Sequence, residues 1–537
     1  MEKFAIVGAG FSGTCALWHL VKDISKNIYK NYEIYIIETS NICGPGFPYS
    51  KDNNLRCYLC NNPADQMFID NNDFVSWVNE NKSFILNQYS DLIDGYYYIN
   101  QDNSYIFDHK AFYPREFFGI YLAQKFKEAI KIAKKNGVNV KVYNLCEVFD
   151  IDLNTDSKKA NIFYINKKDK SKHLLYDFDK VLLTTGHWKK TISEKVSNTI
   201  NMPYPPEVVT SNIIKFQKNK RSDTLNIYIE GMGPSGVDSI LNVCQYGKFI
   251  YNNRAPIDYI SNWSEYGFKK CNIIAFSRSG VFPGVRTEKV RYEPHFLSEK
   301  ELLKSFVNGY MPLKSIIKLI DLELKYKSGG QLTLQDFVNA SNINAKDKLL
   351  FDLMESENSK LLYTIILHIR RFKFYRYLNS EDKNEYDQNW DRHFIRVSVP
   401  IPKNNALKLK ILFNKGILKS LKLNDLDDKH FGNQNIIIKA SGMGSDVLQH
   451  SSDLIKNLLK KKMVVPAIDE KHNMGGINVC RDSNFKVYQC INNKKELSSR
   501  IYSFGPIISH WKNTDNYSGA FVEAAKKISQ EWICAED

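Results

Sequence analysis

The sequence predicts an α/β protein made of two Rossmann-like dinucleotide-binding units with a helical insertion, and three observations predict it. An apolar strand, Phe4–Val7, runs directly into Gly8-Ala-Gly10-Phe-Ser-Gly13. The arrangement returns far downstream, where Leu225–Ile229 runs into Gly231-Met-Gly233-Pro-Ser-Gly236. From Leu297 to Leu421 the pattern turns largely helical, with amphipathic stretches at 299–308, 313–326 and 359–378.

In the first unit a helical pattern through Leu17, Leu20 and Val21 follows the turn, and a second strand, Ile34–Ile37, ends at Glu38. Gly8 permits the tight turn, Gly10 lets backbone approach a pyrophosphate, and Gly13 allows close helix–strand packing. The helix start at Phe11 and Ser12 offers free N–H groups and a partial positive charge to phosphates. Glu38 stands 25 residues after Gly13, where a carboxylate accepts hydrogen bonds from the ribose hydroxyls of an adenosine. A glycine turn alone is a weak sign. Set between a strand and a helix, with its acid in place, this one is specific.

The second unit repeats the logic with Gly231, Gly233, Ser235 and Gly236, but the acid is missing. Its next strand, Ile273–Phe276, runs into Ser277-Arg278, and a hydroxyl beside a guanidinium suits the 2′-phosphate of NADP better than a bare ribose. Residues 247–271 lengthen the spacing, so a degenerate unit that binds nothing stays open. Between the units lie the helix Phe117–Lys134 and the strands Val138–Tyr143 and Val181–Leu183. The tail resumes with strands at Ile436–Ile438 and Arg500–Phe504 and ends in a helix from Gly519 to Trp532. The expected division is a first domain over 1–215 completed by 432–537, and a second over 216–431 that carries the helical cap.

With 537 residues, 43% of them hydrophobic, the chain has material for roughly two to four cores. The net charge of +15 is spread over lysine-rich stretches such as residues 167–172 and 459–463, and no basic repeat interleaved with aromatics points to nucleic acid. Leu361–Ile369 is too short to cross a bilayer, the start offers no signal peptide, and the ten cysteines are scattered. A reduced, cytoplasmic protein without a membrane partner is the expectation. Neither HExxH nor a second CxxC is present, so no metal is expected, and G-x-S-x-G and Walker A are absent.

Further stretches stand out: Gly44-Pro-Gly46-Phe-Pro-Tyr49; Leu59-Cys-Asn61-Asn62-Pro63-Ala64 with Met67; and Pro114-Arg115 with Gly119 and Tyr121. Further on come Asp179 to Leu183 with Thr185-Gly186-His187; Ser277-Arg278-Ser-Gly280 with Pro283; Trp390-Asp-Arg392-His393; and Ile501 to Gly505-Pro506. Together these resemble the two-dinucleotide-domain, glutathione-reductase-like flavoproteins, in particular the FAD/NAD(P)-binding family that includes amino-acid N-hydroxylating monooxygenases such as aspartate N-monooxygenases. The order is right and the span covers nearly the whole chain. Cys60 and the run Ser509-His510-Trp511-Lys512 depart from the pattern, which touches the substrate more than the cofactors.

The resemblance implies FAD on the first unit, with Thr185, Gly186, Gly505 and Pro506 on the flavin side, and NADPH on the second. It implies hydride transfer to the flavin, then reaction with molecular oxygen to a C4a-hydroperoxide and hydroxylation of the nitrogen of a small amine or amino acid. Asn61, Asn62 and Arg115 are the expected groups near flavin and substrate. Two rivals stand: an NADPH-dependent oxidoreductase acting on a thiol, quinone or partner protein without oxygen insertion, and a non-catalytic flavin-binding protein. Cys57-Tyr-Leu-Cys60 bears on the first, since a C-x-x-C pair can cycle as a disulfide. Here it lies in an apparently extended segment, where positions three apart face opposite ways. His187 reads equally as structural or as a neighbour of the flavin, and a homo-oligomer is left open.

Overall fold

The computed structural model describes residues 1–26, 31–71, 73–89, 97–99, 105–154, 157–189, 198–220, 223–252, 255–339, 343–427, 430, 432, 435–470, 472–508 and 515–534. Two sheets organise them. The first runs in the order Asn139–Asn144, Tyr32–Glu38, Glu2–Val7, Lys180–Leu183, Lys494–Ser503, Lys486–Ile491, Val479–Cys480. Its first five strands are parallel and the last two antiparallel. The second sheet is wholly parallel and runs Leu418–Lys422, Lys270–Ser277, Thr224–Glu230, Ile436–Lys439, Thr199–Ile200.

The two orders match strand for strand: third, second, first, closing strand, added strand. Parallel strands buried on both faces need near-continuous apolar runs, which explains why Phe4–Val7, Ile34–Ile37 and Ile436–Ile438 lack alternation. Helices Phe11–Ile24 and Ser518–Cys534 pack on one another over the first sheet, and Arg115–Lys135 packs beside Phe11–Ile24. An antiparallel meander, Cys146–Leu153, Ala160–Asn166 and Lys172–Phe178, fills the crossover before the closing strand.

The expected domain boundaries move in both directions. Thr199–Ile200 and the helix Pro206–Lys220, which sends Val209 and Ile213 into the second core, lie with the second unit. So does Ile436–Lys439, placed in the tail above, because it pairs with Thr224–Glu230. An apolar run announces a buried strand but not which of two sheets receives it. The long spacing from Gly236 to Ser277 is a hairpin, Gly247–Asn252 with Ala255–Ser261, inserted in the second unit's first crossover.

The helical insertion occupies the crossover between Lys270–Ser277 and Leu418–Lys422. It holds a core of its own around Ile316, Ile320, Ile365, Ile369, Phe374 and Phe394. Its last helix, Lys403–Asn414, sends Ala406, Leu409 and Leu412 into the second unit's core instead. No described helix is long and apolar enough to cross a membrane.

Candidate functional site: two glycine turns and the junction between them

At the first turn Gly8 has φ of +97° and donates to the Ile37 carbonyl at 2.9 Å. A side chain on Gly13 would place its Cβ 2.0 Å from the Gly8 carbonyl oxygen, so strand and helix meet backbone to backbone. Gly10 is the N-cap of Phe11–Ile24 and no side chain caps that helix, which leaves its first N–H groups for an anion. Glu38 is buried and accepts from the N–H groups of Ala9 at 2.6 Å and Ser40 at 2.8 Å. These bonds hold the carboxylate at the turn, where the adenosine ribose of a dinucleotide lies.

Other expected residues gather here. Gly505 sits so close to Ser12 that a Cβ on it would lie 2.5 Å from the Ser12 hydroxyl oxygen. The C-terminal strand thus reaches the first turn, bringing Pro506 with it. Thr185 follows the closing strand, and its hydroxyl is buried without a hydrogen-bond partner, an orphan that a ligand can satisfy. Gly186 beside it has φ of +75° and open space where a Cβ would go. Phe11 is the exception. Its ring packs against Phe118 at 5.1 Å and Phe521 at 5.0 Å, so only its backbone serves the turn.

The second turn reproduces the first. Gly231 has φ of +109° and donates to the Phe276 carbonyl at 2.8 Å, and a Cβ on Gly236 would lie 2.0 Å from the Gly231 oxygen. Gly233 is the uncapped N-cap of Pro234–Val243. The Ser277 hydroxyl accepts from the Gly280 N–H at 3.0 Å and donates to the Met232 sulfur at 3.4 Å, which ties the end of the second strand to the turn. Arg278 beside it is exposed.

Against these geometries, residues 5–188 match the profile of the FAD-NAD(P)-binding family. The first unit is an FAD-NAD(P)-binding domain. An uncharacterized protein of Escherichia coli strain K12, YdhS, is 25% identical over 452 residues, covering 79% of this chain and 78% of its own. Among solved structures, the L-lysine 6-monooxygenase of Pseudomonas syringae covers 100% of this chain and 99% of its own, at 10% identity and a TM-score of 0.46. The ornithine hydroxylase of Pseudomonas aeruginosa covers 99% of each chain, at 10% identity and 0.43. Likeness at that distance says nothing of substrate or reaction.

The three residues expected beside the substrate lie between the units, and each has a partner within the chain. Arg115 is not free to meet a ligand. Its guanidinium forms a two-pronged pair with Asp238 at 2.6 and 3.3 Å and donates from Nε to the Leu59 carbonyl at 3.0 Å. Asn61 and Asn62 instead hold Arg286, which sequence reasoning missed. One Arg286 nitrogen donates to the Asn61 carbonyl at 2.8 Å and to Asn62 Oδ1 at 2.7 Å, and the other reaches the Tyr363 hydroxyl.

Every acceptor around Arg286 is neutral. Among the described residues no carboxylate pairs with it, and its Nε is buried without a partner. Burial and the nearby charges of Arg371 and Arg286 hold the Lys289 ammonium below its usual value, with Asp65 pulling the other way. Asp65 follows Asn61-Asn62-Pro-Ala directly, and its Oδ1 is buried and unpartnered. Arg286, Arg371 and Asp65, from different parts of the chain, thus lie near enough to Lys289 for their charges to act on it. The available signal was Pro283-Gly-Val-Arg286, just beyond the second strand, and Asp65, just beyond a matching stretch.

The C-x-x-C pair shows the opposite environment. Cys57 packs against the second unit's core and Cys60 lies within the first unit's core. Both are free thiols; burial pushes Cys57 up, and Cys60 up to about 12. Burial works against the thiolate that disulfide exchange needs at both positions.

Proposed function

We propose that this protein is an FAD-dependent, NADPH-consuming oxidoreductase that hydroxylates the nitrogen of a small amine, an amino acid above all. The observation that carries the reading is the duplicated turn with different ends: a buried acid, Glu38, at the first, and a hydroxyl with an exposed guanidinium, Ser277 and Arg278, at the second. One suits the ribose of FAD and the other the 2′-phosphate of NADPH. Ser235 stands in the second turn beside the diphosphate position. FAD, when bound, supplies the passage of electrons from NADPH to molecular oxygen and of one oxygen atom to the substrate.

The chain's own residues do the rest. Phe11–Ile24 presents its free N–H groups to the FAD diphosphate, and the Thr185 hydroxyl offers a donor on the flavin side. Arg286, with Lys289 and Arg371, binds the substrate carboxylate. A nitrogen can attack only with its lone pair free, so an amine must shed a proton before it reacts. Asp65 is the acceptor, since its Oδ1 has no other partner. Cap and junction exclude water from the reacting atoms.

The raised thiols of Cys57 and Cys60 take support from an enzyme cycling through that pair. The test is to mix flavin-loaded protein, NADPH and a panel of amines and amino acids in air and look for hydroxylamine. NADPH oxidation that yields only hydrogen peroxide across the panel overturns the reading.

A further inference from the structure

The Arg115–Asp238 pair joins two parts of the chain that dinucleotide binding alone does not require to touch. Arg115 opens the helix Arg115–Lys135 of the flavin unit. Asp238 lies in the first turns of Pro234–Val243, the helix that starts at the second glycine turn. Their side chains are 12% and 2% exposed. Asp238 also accepts from the Tyr204 hydroxyl at 2.6 Å, and that hydroxyl lies 3.4 Å from the Ser235 hydroxyl inside the turn.

Aromatic packing backs the pair. Tyr58 is fully buried in the second unit's core although it belongs to the flavin unit, and the Arg115 guanidinium lies 5.7 Å from its ring. Tyr204 meets Tyr58 edge-on at 6.4 Å and Phe47 at 5.9 Å, and Phe47 belongs to the short helix Gly46–Tyr49 against the first turn. Removing one partner of a charge pair this dry leaves the other charge buried and uncompensated. Such a pair resists sliding in a way that an apolar contact does not.

We propose that Arg115, Asp238 and Tyr204 are positioning residues that hold the second glycine turn at a set place relative to the flavin unit, so that a bound nicotinamide arrives at the distance hydride transfer needs. This rests on the proposed NADPH-to-flavin reading. The step moves two electrons and one proton as hydride from NADPH, which leaves as NADP⁺, to the flavin. The three residues bond to one another through Asp238, and Tyr204 reaches the turn through Ser235. They act through the helix Pro234–Val243, and a small error in approach slows transfer steeply.

The test uses FAD-loaded full-length protein mixed anaerobically with NADPH. Arg115→Ala and Asp238→Asn are expected to lower the limiting rate of flavin bleaching at saturating NADPH about thirtyfold. The Kd of NADP⁺, measured by calorimetry, should change less than threefold. Arg115→Asp with Asp238→Arg should regain at least tenfold over either single charge reversal. Tyr204→Phe, which leaves the charges paired, should slow bleaching only a few-fold. Small-angle scattering on the same proteins should show a larger radius of gyration for the single variants than for the parent or the swap.

Unchanged bleaching and scattering in well-folded variants overturn the proposal while leaving the functional reading intact. A loss seen wholly in Kd overturns it too, because these residues would then serve binding. Should the single variants fail to fold, Tyr204→Phe bleaching at the parent rate overturns it. A parent protein that neither NADPH nor NADH bleaches sinks the functional reading, and the positioning claim goes with it.

Discussion

The two glycine turns share strand order, positive φ at the first glycine and a backbone contact at the third, yet their second glycines stand in different surroundings. A Cβ on Gly10 would come within 3.1 Å of the Gly46 Cα, because the segment Gly44–Tyr49 closes over the first turn and the Gly44 N–H donates to the Ala9 carbonyl at 2.7 Å. A Cβ on Gly233 would meet nothing within 4 Å. The first turn is roofed by its own chain, and the second has no such cover among the described residues. A roofed site suits a cofactor that stays through many turnovers, and an open one suits a cosubstrate that arrives and leaves. The second unit repeats the glycine turn of the first without the segment that covers it.

The largest expected effect tests the shared part. Gly13→Ala drives a Cβ into the Gly8 carbonyl, a backbone clash worth about 3 kcal/mol or more. The protein should emerge insoluble or colourless, read as the ratio of absorbance at flavin and protein wavelengths. Gly233→Ala should keep full flavin and raise the Kd of NADPH about tenfold, of the order one charge-assisted hydrogen bond is worth. Full flavin in the first variant, or lost flavin in the second, breaks the contrast.

Next comes the junction that both turns serve. Arg286→Ala removes a charge-assisted contact worth about 1.5–3 kcal/mol, so the KM of the amine substrate should rise about 10- to 100-fold while the KM of NADPH stays put. Arg278→Ala acts on the open turn alone. It should cut the preference for NADPH over NADH, taken as the ratio of kcat/KM values, about tenfold.

The smallest effect concerns the segments that leave the two closing strands. Trp188, from the first, stacks on His450 at 4.8 Å, and the Gly444 N–H, from the second, donates to the Trp188 carbonyl at 2.8 Å. Burial lowers His450 to about 4, with Lys456 adding, and its Nδ1 accepts from the Ser452 N–H at 3.0 Å, a bond only a neutral imidazole can make. The unfolded chain binds this proton near the ordinary histidine value of about 6.5. The contribution is therefore complete above that pH and falls away as pH drops toward about 4, by at most about 1.4 kcal/mol per pH unit. Thermal melts over that window should show a steeper loss of Tm for the parent than for His450→Gln.

Much of the architecture was legible because it rests on local chemistry. Strand, glycine turn and helix follow one another within about a dozen residues, and Glu38 ends a strand whose neighbour is the turn itself. The opposite facing of Cys57 and Cys60 follows from the extended chain between them, and the structure puts them in different cores. The partner of Arg115 escaped the sequence for a reason of range. A charged residue in a matching stretch looks available for a ligand, and its partner, Asp238, lies 123 residues away in another unit.

What the sequence by itself determined is the pair of phosphate cradles and the kind of charge at each end, since short-range sterics and side-chain type decide both. Only the tertiary structure decided that Ile436–Lys439 and Thr199–Ile200 join the second sheet, that a segment roofs one turn, and that Arg286, Arg371 and Asp65 lie near enough to Lys289 for their charges to act on it. Those are contacts between segments remote along the chain, selected by how whole units pack, and no local pattern encodes the partner of a strand edge or of a buried charge.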